Sequence, residues 1–340
     1  MPLTVLEERI LDSIIVASDN DPAKPEFPAD DPKFPATPTY KIEIPGFSNV
    51  WLKDESHNPT GTHKDRMAWE IIVTYRDFLV AKESGQVSGG LPTLSIISSG
   101  GAAVSIQTQL RKYKLPNLKV LADKTTSKTI LAFLHHLGCE LYLTDLSRRP
   151  FSTREILKLT NNPSGFDITS SEALDPTTRF YDWLSYEVLN NSPEYCFIPF
   201  GTGNLYENIL NINKREATAD THDPRFKGDV RILRQCNFFG ATSNNRNTKA
   251  DKLYSPHLPF VHYDEQWIRF YRQAGYCGPD SDVFPVEEKY FDEAMQLADA
   301  NNVRCEYSGI AGLALMLQMK DSLPRDKKML IVNTGKSVSS

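Results

Sequence analysis

Residues 51 to 66 read WLKDESHNPTGTHKDR, and the lysine inside that run, Lys64, decides how the chain is to be understood. Val50 to Lys53 is an extended apolar-charged stretch that runs into Asn58-Pro59-Thr60-Gly61. Asn-Pro and Gly are turn formers, and a helical pattern, Asp65 to Ala81, begins directly after the lysine. Lys64 is thereby pinned near the start of a helix instead of on a freely solvated face. A helix N-terminus disfavours a positive charge on a neighbouring amine, and a neutral amine is what a Schiff-base lysine needs. By itself NPTGxxK is more often a surface turn beside a solvated lysine. The segments that follow reverse that balance.

Leu94-Ser95-Ile96-Ile97 is a short β-branched run leading into the small-residue turn Ser98-Ser99-Gly100-Gly101-Ala102 and a helix start at Ala103-Val104-Ser105. Tyr195 to Phe200 is a second such run, ending at Gly201-Thr202-Gly203-Asn204-Leu205 before a helical stretch. A strand feeding a glycine-rich turn into a helix exposes backbone N–H groups at a positive dipole end, which suits a phosphate. Glu306-Tyr307-Ser308-Gly309-Ile310-Ala311-Gly312 opens an apolar helix, and Met329 to Asn333 reads as a buried strand closing on Thr334-Gly335-Lys336.

In this order the five segments resemble the fold-type II pyridoxal-phosphate enzymes, the family of tryptophan synthase β, cysteine synthase, threonine synthase and the serine/threonine dehydratases. The likeness runs from about Pro38 to Lys336. SSGGAAVS (98–105) is similar to the SSGNAAVS turn of the threonine synthase and dehydratase branch, and NPTGTHKDR (58–66) to that branch's NPTGSFKDR. The stretch Ser127 to Asp145, ending LGCELYLTD, resembles the family's continuation into a helix, a glycine and a strand.

The resemblance implies an α/β fold of two three-layer α/β/α domains with mostly parallel sheets, tryptophan synthase β-like. Residues 1–68 and 171–340 would form the large cofactor-binding domain and residues 69–170 the small one, with pyridoxal 5'-phosphate in the cleft between them. Lys64 would carry the cofactor as a Schiff base and then move the substrate α-proton. Gly201, Thr202, Gly203, Asn204 and Leu205 would hold its phosphate. Thr334 would face the pyridine nitrogen. Ser98, Ser99, Gly100, Gly101 and Ala102 would meet the substrate carboxylate and the pyridine 3'-oxygen. The chain departs from the family at Gly101, where an Asn side chain usually touches that oxygen, and in a GTGNL loop less glycine-rich than the usual GGGGL type. The implied activity is β- or γ-elimination or replacement on an amino acid with an activated or phosphorylated hydroxyl, by a homodimer. The alternative is a catalytically impaired paralogue that binds cofactor or ligand in a regulatory role, and Gly101 keeps it open. Substrate choice would lie in loops such as Thr242–His257.

Composition bounds the function classes. A chain of 340 residues buries a substantial core in one or two domains. Lys+Arg 38 against Asp+Glu 43 gives a net charge of −5, and no basic stripe interleaves with aromatics, so nucleic-acid binding is not expected. Glu7 and Glu8 stand where a secretory leader carries bases, and no apolar run approaches a membrane span, so a soluble cytoplasmic protein is expected. Cys139, Cys196, Cys236, Cys277 and Cys305 are far apart with no C-x-x-C pair, which argues for small core residues in a reducing compartment and against a metal site or disulfide framework. Cys305 lies close before Ser308-Gly309, and there too a structural role is favoured over a functional one.

Asp19 to Pro38, with Pro22, Pro25, Pro28, Pro32, Pro35 and Pro38, reads as an irregular surface strap. After it, Leu94–Ile97, Ala103–Lys112, Leu118–Ala122, Lys128–Leu137 and Glu140–Thr144 alternate as strand and helix, the signature of a parallel sheet covered by helices. A second set comprises Tyr195–Phe200, Leu205–Asn213, Asp229–Gln235, Phe291–Ala300 and Leu330–Asn333, with Asn213 to Gly228 a surface excursion between a helix and a strand. A Rossmann fingerprint at Gly201-x-Gly203 fails because Tyr206 stands at the third glycine. A P-loop ending Gly335-Lys336-Ser337 fails because its first glycine would be Leu330. Adjacent His135 and His136 point about 100° apart on a helix and cannot share one metal. His57 and His63 flank the Lys64 turn and read as polar loop residues ahead of substrate contacts.

Overall fold

The computed structural model describes residues 35–98, 100–147, 151–169, 180–254 and 265–337. Most of the proline-rich strap, Ser99, and residues 255–257 of the anticipated substrate loop lie outside the described residues. The chain divides into two compact units, a larger one holding Pro35–His63 and Tyr181–Lys336 and a smaller one holding Lys64–Phe180.

The larger unit begins with β1 (Thr39–Ile44) and β2 (Phe47–Asp54), an antiparallel hairpin with a bulge between Ile42 and Ile44. The chain then builds the smaller unit from α1 (Lys64–Glu83), β3 (Leu94–Ile97), α2 (Gly101–Lys112), β4 (Lys119–Asp123), α3 (Lys128–Leu137), β5 (Glu140–Thr144), α4 (Thr153–Leu159) and β6 (Phe166–Asp167). It returns to the larger unit with α5 (Asp182–Leu189), β7 (Tyr195–Pro199), α6 (Asn204–Thr218), the single turn α7 (Val230–Leu233), β8 (Asn237–Thr242), α8 (Glu265–Gln273), β9 (Asp282–Pro285), α9 (Glu288–Ala300), α10 (Ala311–Gln318) and β10 (Met329–Asn333).

Among the described residues the smaller unit has a parallel sheet ordered β5-β4-β3-β6, and the larger unit a sheet ordered β1-β2-β10-β7-β8-β9 in which all neighbours after the hairpin are parallel. These are the expected mostly parallel α/β/α units. Local chemistry sets the element ends. Ser127 caps α3 by accepting from the Ile130 amide at 3.2 Å, and Ser152 and Glu155 close a capping box on α4. The strand β10 is buried at every position, as a central parallel strand covered on both faces must be. Helix α10 is apolar all round and packs on β7, β8 and β10, with Leu313, Leu315 and Met316 in the core.

Three expectations are corrected. The helix after the lysine starts at Lys64 itself. The strand expected at Asp229–Gln235 is instead the turn α7, because the Asp229 carboxylate accepts from the Arg231 amide at 2.8 Å and caps it; the strand follows as β8. The excursion placed at Asn213 to Gly228 also begins later, since α6 runs on to Thr218 and Asn213 is buried, donating to the Leu233 and Tyr276 carbonyls at 3.2 and 2.7 Å. No helix among the described residues is long and apolar enough to cross a membrane, and none of their His, Cys, Asp and Glu groupings could hold a metal ion.

Candidate active site

The turn that delivers Lys64 is held by buried polar groups. Asp54 ends β2 and caps a 3-10 turn, Glu55–His57, through a 3.0 Å bond from the Ser56 amide. The Asn58 side-chain amide donates to the Glu55 carboxylate at 2.7 Å and to the Thr62 carbonyl at 3.0 Å, spanning the turn from inside. Glu55 is fully buried and also accepts from the Thr37 hydroxyl at 2.5 Å. Lys53, equally buried, lies 3.7 Å from Glu55, 2.5 Å from Glu187 and 2.7 Å from the Thr37 carbonyl. Burying such charges is unfavourable unless each is paired. The pairing therefore ties the turn to the strand that feeds it.

The same turn is joined to the end of β10. The Lys336 amide donates to the Gly61 carbonyl at 2.9 Å and the His63 amide to the Thr334 carbonyl at 3.1 Å, around an isolated bridge between Thr62 and Gly335. Gly335 has φ +97, and a β-carbon there would run into the Gly61 carbonyl, so only glycine allows the two segments this close. The Asn333 amide donates to Asp54 at 2.9 Å and to the Arg304 carbonyl at 3.0 Å, while its oxygen accepts from the Gly335 amide at 3.0 Å. Thr334 is half-buried, with its amide on the Gly309 carbonyl at 3.0 Å. The structure thus brings Thr334 beside the residues immediately before Lys64. Lys64 is half-buried and is the first residue of α1.

Gly201 to Leu205 joins β7 to the N-terminus of α6. Gly203 is the N-cap, left-handed at φ +90 and without a side-chain cap, and a β-carbon on it would sit 2.9 Å from the Phe200 ring. A β-carbon on Gly201 would stand 2.7 Å from the Lys252 carbonyl. Thr202 is exposed, Asn204 half-buried and Leu205 buried. A long helix whose first turn is entered through glycine offers backbone N–H groups and the positive end of a dipole to an anion.

In the smaller unit the Ser98 hydroxyl accepts from the Gly100 amide at 3.1 Å and the Ala103 amide at 3.4 Å, so this side chain organises the turn that starts α2. Gly100 is the cap at φ 141. No atom beyond its chain neighbours and its own helix backbone lies within 4 Å of a β-carbon built on Gly101, and Gly101 and Ala102 are both half-buried. A β-carbon therefore meets no obstacle at the position that carries Asn in the resembling family.

All five cysteines are free and buried. Burial pushes the Cys305 thiol up to about 12, which leaves it a neutral thiol beside the Met295 sulfur at 3.7 Å and removes it as a nucleophile at neutral pH. Burial, then the hydrogen bond to Asp54 at 2.7 Å, holds the Tyr40 phenol well above its ordinary value. His57 is exposed, 3.5 Å from Asp54. His63 lies against the Tyr181 ring with centroids 5.3 Å apart, its Nδ1 3.4 Å from the Thr334 carbonyl. His135 and His136 are both exposed on α3. Sequence reasoning missed the roles of Lys53, Glu55, Asn333 and the Asp251–Leu253 turn. The available signal was the run Lys53-Asp54-Glu55 at the end of an apolar strand.

Comparison with known proteins agrees with this architecture. Residues 33–335 match the model of the pyridoxal-phosphate dependent enzyme family. The chain belongs to that family, and pyridoxal 5'-phosphate is its cofactor. Cysteine synthase B of Escherichia coli strain K12 is 29% identical over 134 residues, a match spanning 38% of this chain and 41% of that enzyme. Among solved structures, an O-ureido-L-serine synthase superposes with a TM-score of 0.63 at 17% identity, covering 89% of each chain. An O-acetylserine-dependent cystathionine β-synthase from Helicobacter pylori superposes at 0.60 and 14% identity, over 99% of this chain and 96% of that one. At such identities the structural likeness concerns the fold.

The described residues fit the cofactor by their own chemistry. A half-buried lysine opens a helix, a turn with no room for side chains at Gly201 and Gly203 opens another, and a hydroxyl residue stands at the end of the central strand.

Proposed function

We propose that the protein catalyses elimination or replacement at the β- or γ-carbon of an amino acid, with Lys64 as the cofactor-bearing lysine and proton carrier. The observation that carries this reading is Thr334, a hydroxyl residue where β10 ends, whose backbone is hydrogen-bonded to His63 next to Lys64. When bound, pyridoxal phosphate draws off the electron pair left at the substrate α-carbon. A carboxylate near the pyridine nitrogen would stabilise that pair for long, favouring transamination and racemisation. A hydroxyl holds the nitrogen's proton less firmly, so a leaving group at Cβ or Cγ departs promptly.

In this reading the backbone amides of Gly201–Leu205 bind the phosphate by the dipole of α6. Ser98, Ser99, Gly100, Gly101 and Ala102 receive the substrate carboxylate at the start of α2, where amides rather than a cation neutralise it. Lys64, released on substrate binding, takes the α-proton as general base and returns one to product. A partly buried position limits water at its amine.

Gly101 supports a second reading. Without the Asn side chain, one hydrogen bond to the cofactor ring's oxygen is missing, and the chain would bind cofactor or ligand with little turnover in a regulatory role. One experiment addresses both. The purified holoprotein is mixed with serine, threonine, O-acetylserine, O-phosphoserine and O-phosphohomoserine while the visible absorbance and released product are recorded. A spectral shift with product release supports catalysis, a shift alone supports the binding role, and robust transamination refutes the proposed reaction class.

A further inference from the structure

The 3-10 turn Asp251–Leu253 lies within the anticipated substrate loop Thr242–His257, and it touches both parts of the proposed site in the larger unit. Its Lys252 carbonyl is the atom that a β-carbon on Gly201 would meet at 2.7 Å, so this backbone forms the floor beneath the glycine turn. Its Lys252 amide donates to the Ser308 hydroxyl at 3.1 Å, and the Lys252 ammonium pairs with Glu306 at 2.5 Å. Ser308 also lies 3.5 Å from Asp251. The segment holding Glu306 and Ser308 is fastened in turn to the end of β10. The Glu306 amide donates to the Gly335 carbonyl at 3.3 Å, and Gly309 accepts from the Thr334 amide at 3.0 Å. One continuous set of contacts therefore runs from Gly201 through Lys252 and Ser308 to Thr334.

We infer that Lys252, Glu306 and Ser308 are positioning residues that set the glycine turn against the end of β10, and so match this side of the site to the span between a cofactor's phosphate and its ring. The inference rests on the reading that Gly201–Leu205 holds the phosphate. Lys252 acts here through its main chain, and its side-chain pair with Glu306 fixes where that main chain lies. The pair is partly shielded, with side-chain exposures of 31% and 15%. Its loss should loosen the turn without unfolding the unit.

The test compares pyridoxal phosphate with pyridoxal, which lacks only the phosphate, as ligands of the cofactor-free full chain. The variants are Lys252→Met, Glu306→Gln, Ser308→Ala and the charge exchange Lys252→Glu with Glu306→Lys. A displaced phosphate turn should weaken pyridoxal phosphate by about three- to tenfold in the single variants, in keeping with the modest worth of a partly exposed pair or one hydrogen bond. Pyridoxal should change by less than about twofold, and the charge exchange should restore most of the selectivity. Equal weakening of both ligands would mean general loosening and overturn the inference, as would unchanged affinity in all three single variants. Should the charge variants fail to fold, Ser308→Ala must alone show the selective loss, or the inference falls. If the wild type shows no preference for the phosphate-bearing ligand, the phosphate reading itself fails and this inference with it. A wild-type preference untouched by the variants sinks the inference alone.

Discussion

Replacing Gly203 by alanine should weaken the cofactor far more than removing the neighbouring threonine hydroxyl. Gly203 sits at φ +90, where an L-residue is strained by about 1–2 kcal/mol. The new methyl would also stand 2.9 Å from the Phe200 ring. That ring has little freedom to yield. It is 5% exposed and meets Tyr206 edge-on at 5.6 Å, and the Tyr206 hydroxyl is anchored on the Phe238 carbonyl at 2.9 Å. Shifting it adds about 1 kcal/mol, the low end for an overpacked site. Rotating the turn would relieve the strain, and would swing the amides of Thr202 to Leu205, which are proposed to hold the phosphate, away from it. If all of it appears in binding, about 2–3 kcal/mol weakens pyridoxal phosphate by roughly 30- to 150-fold. Thr202→Ala removes at most one hydrogen bond from an exposed side chain, about 1 kcal/mol or roughly fivefold. Absorbance or fluorescence titration of the cofactor-free protein reads both numbers. A Gly203→Ala protein that keeps wild-type affinity would show that the phosphate is held elsewhere.

Lys64→Ala should fold yet hold no cofactor covalently; borohydride reduction of the wild type followed by peptide mass mapping should place the pyridoxyl group on the peptide containing Lys64, and an adduct on another lysine would refute the assignment. Thr334→Asp places a negative charge at the end of β10 and should raise the proton affinity of a nearby pyridine nitrogen. Long-wavelength absorbance should then grow with substrate while turnover falls, and an unchanged spectrum and rate would mean that Thr334 merely ends the strand. The hydrogen bonds from Arg225 hold the Asp223 carboxyl well below its usual value. A depressed carboxylate stabilises the fold above its unfolded value of about 4 and loses that contribution as pH falls towards the folded value. The melting-temperature gap between wild type and Asp223→Asn should therefore be present at pH 7 and shrink in acid, and a gap that widens in acid would refute the pairing.

Much of the local structure around the candidate site was legible because short stretches of chain carry their own instructions. Asn58-Pro59-Thr60-Gly61 announces a turn wherever it occurs, and a lysine directly before a helical pattern must stand at that helix's positive end. Gly201-x-Gly203 after an apolar run likewise specifies a strand, a tight turn and a helix start, and β7 and α6 follow it within a residue or so. Asp229 misled because a capping carboxylate outweighed a short apolar run, which is a contest between local forces that pattern alone does not weigh.

The sequence by itself determined most of the elements, the place of Lys64 at a helix start and the glycine turn, all of which depend on residues a few positions apart. Tertiary structure alone decided that Lys53 and Glu55 are buried, since charges go inside only where a partner such as Glu187 arrives from 134 residues away. It also decided that Asn333 lies opposite Asp54 in the parallel pairing of β10 with β2, and that Lys252 reaches Ser308. Such contacts exist only after the sheet has assembled, because their free energy comes from groups that distant parts of the chain bring together and shield from water.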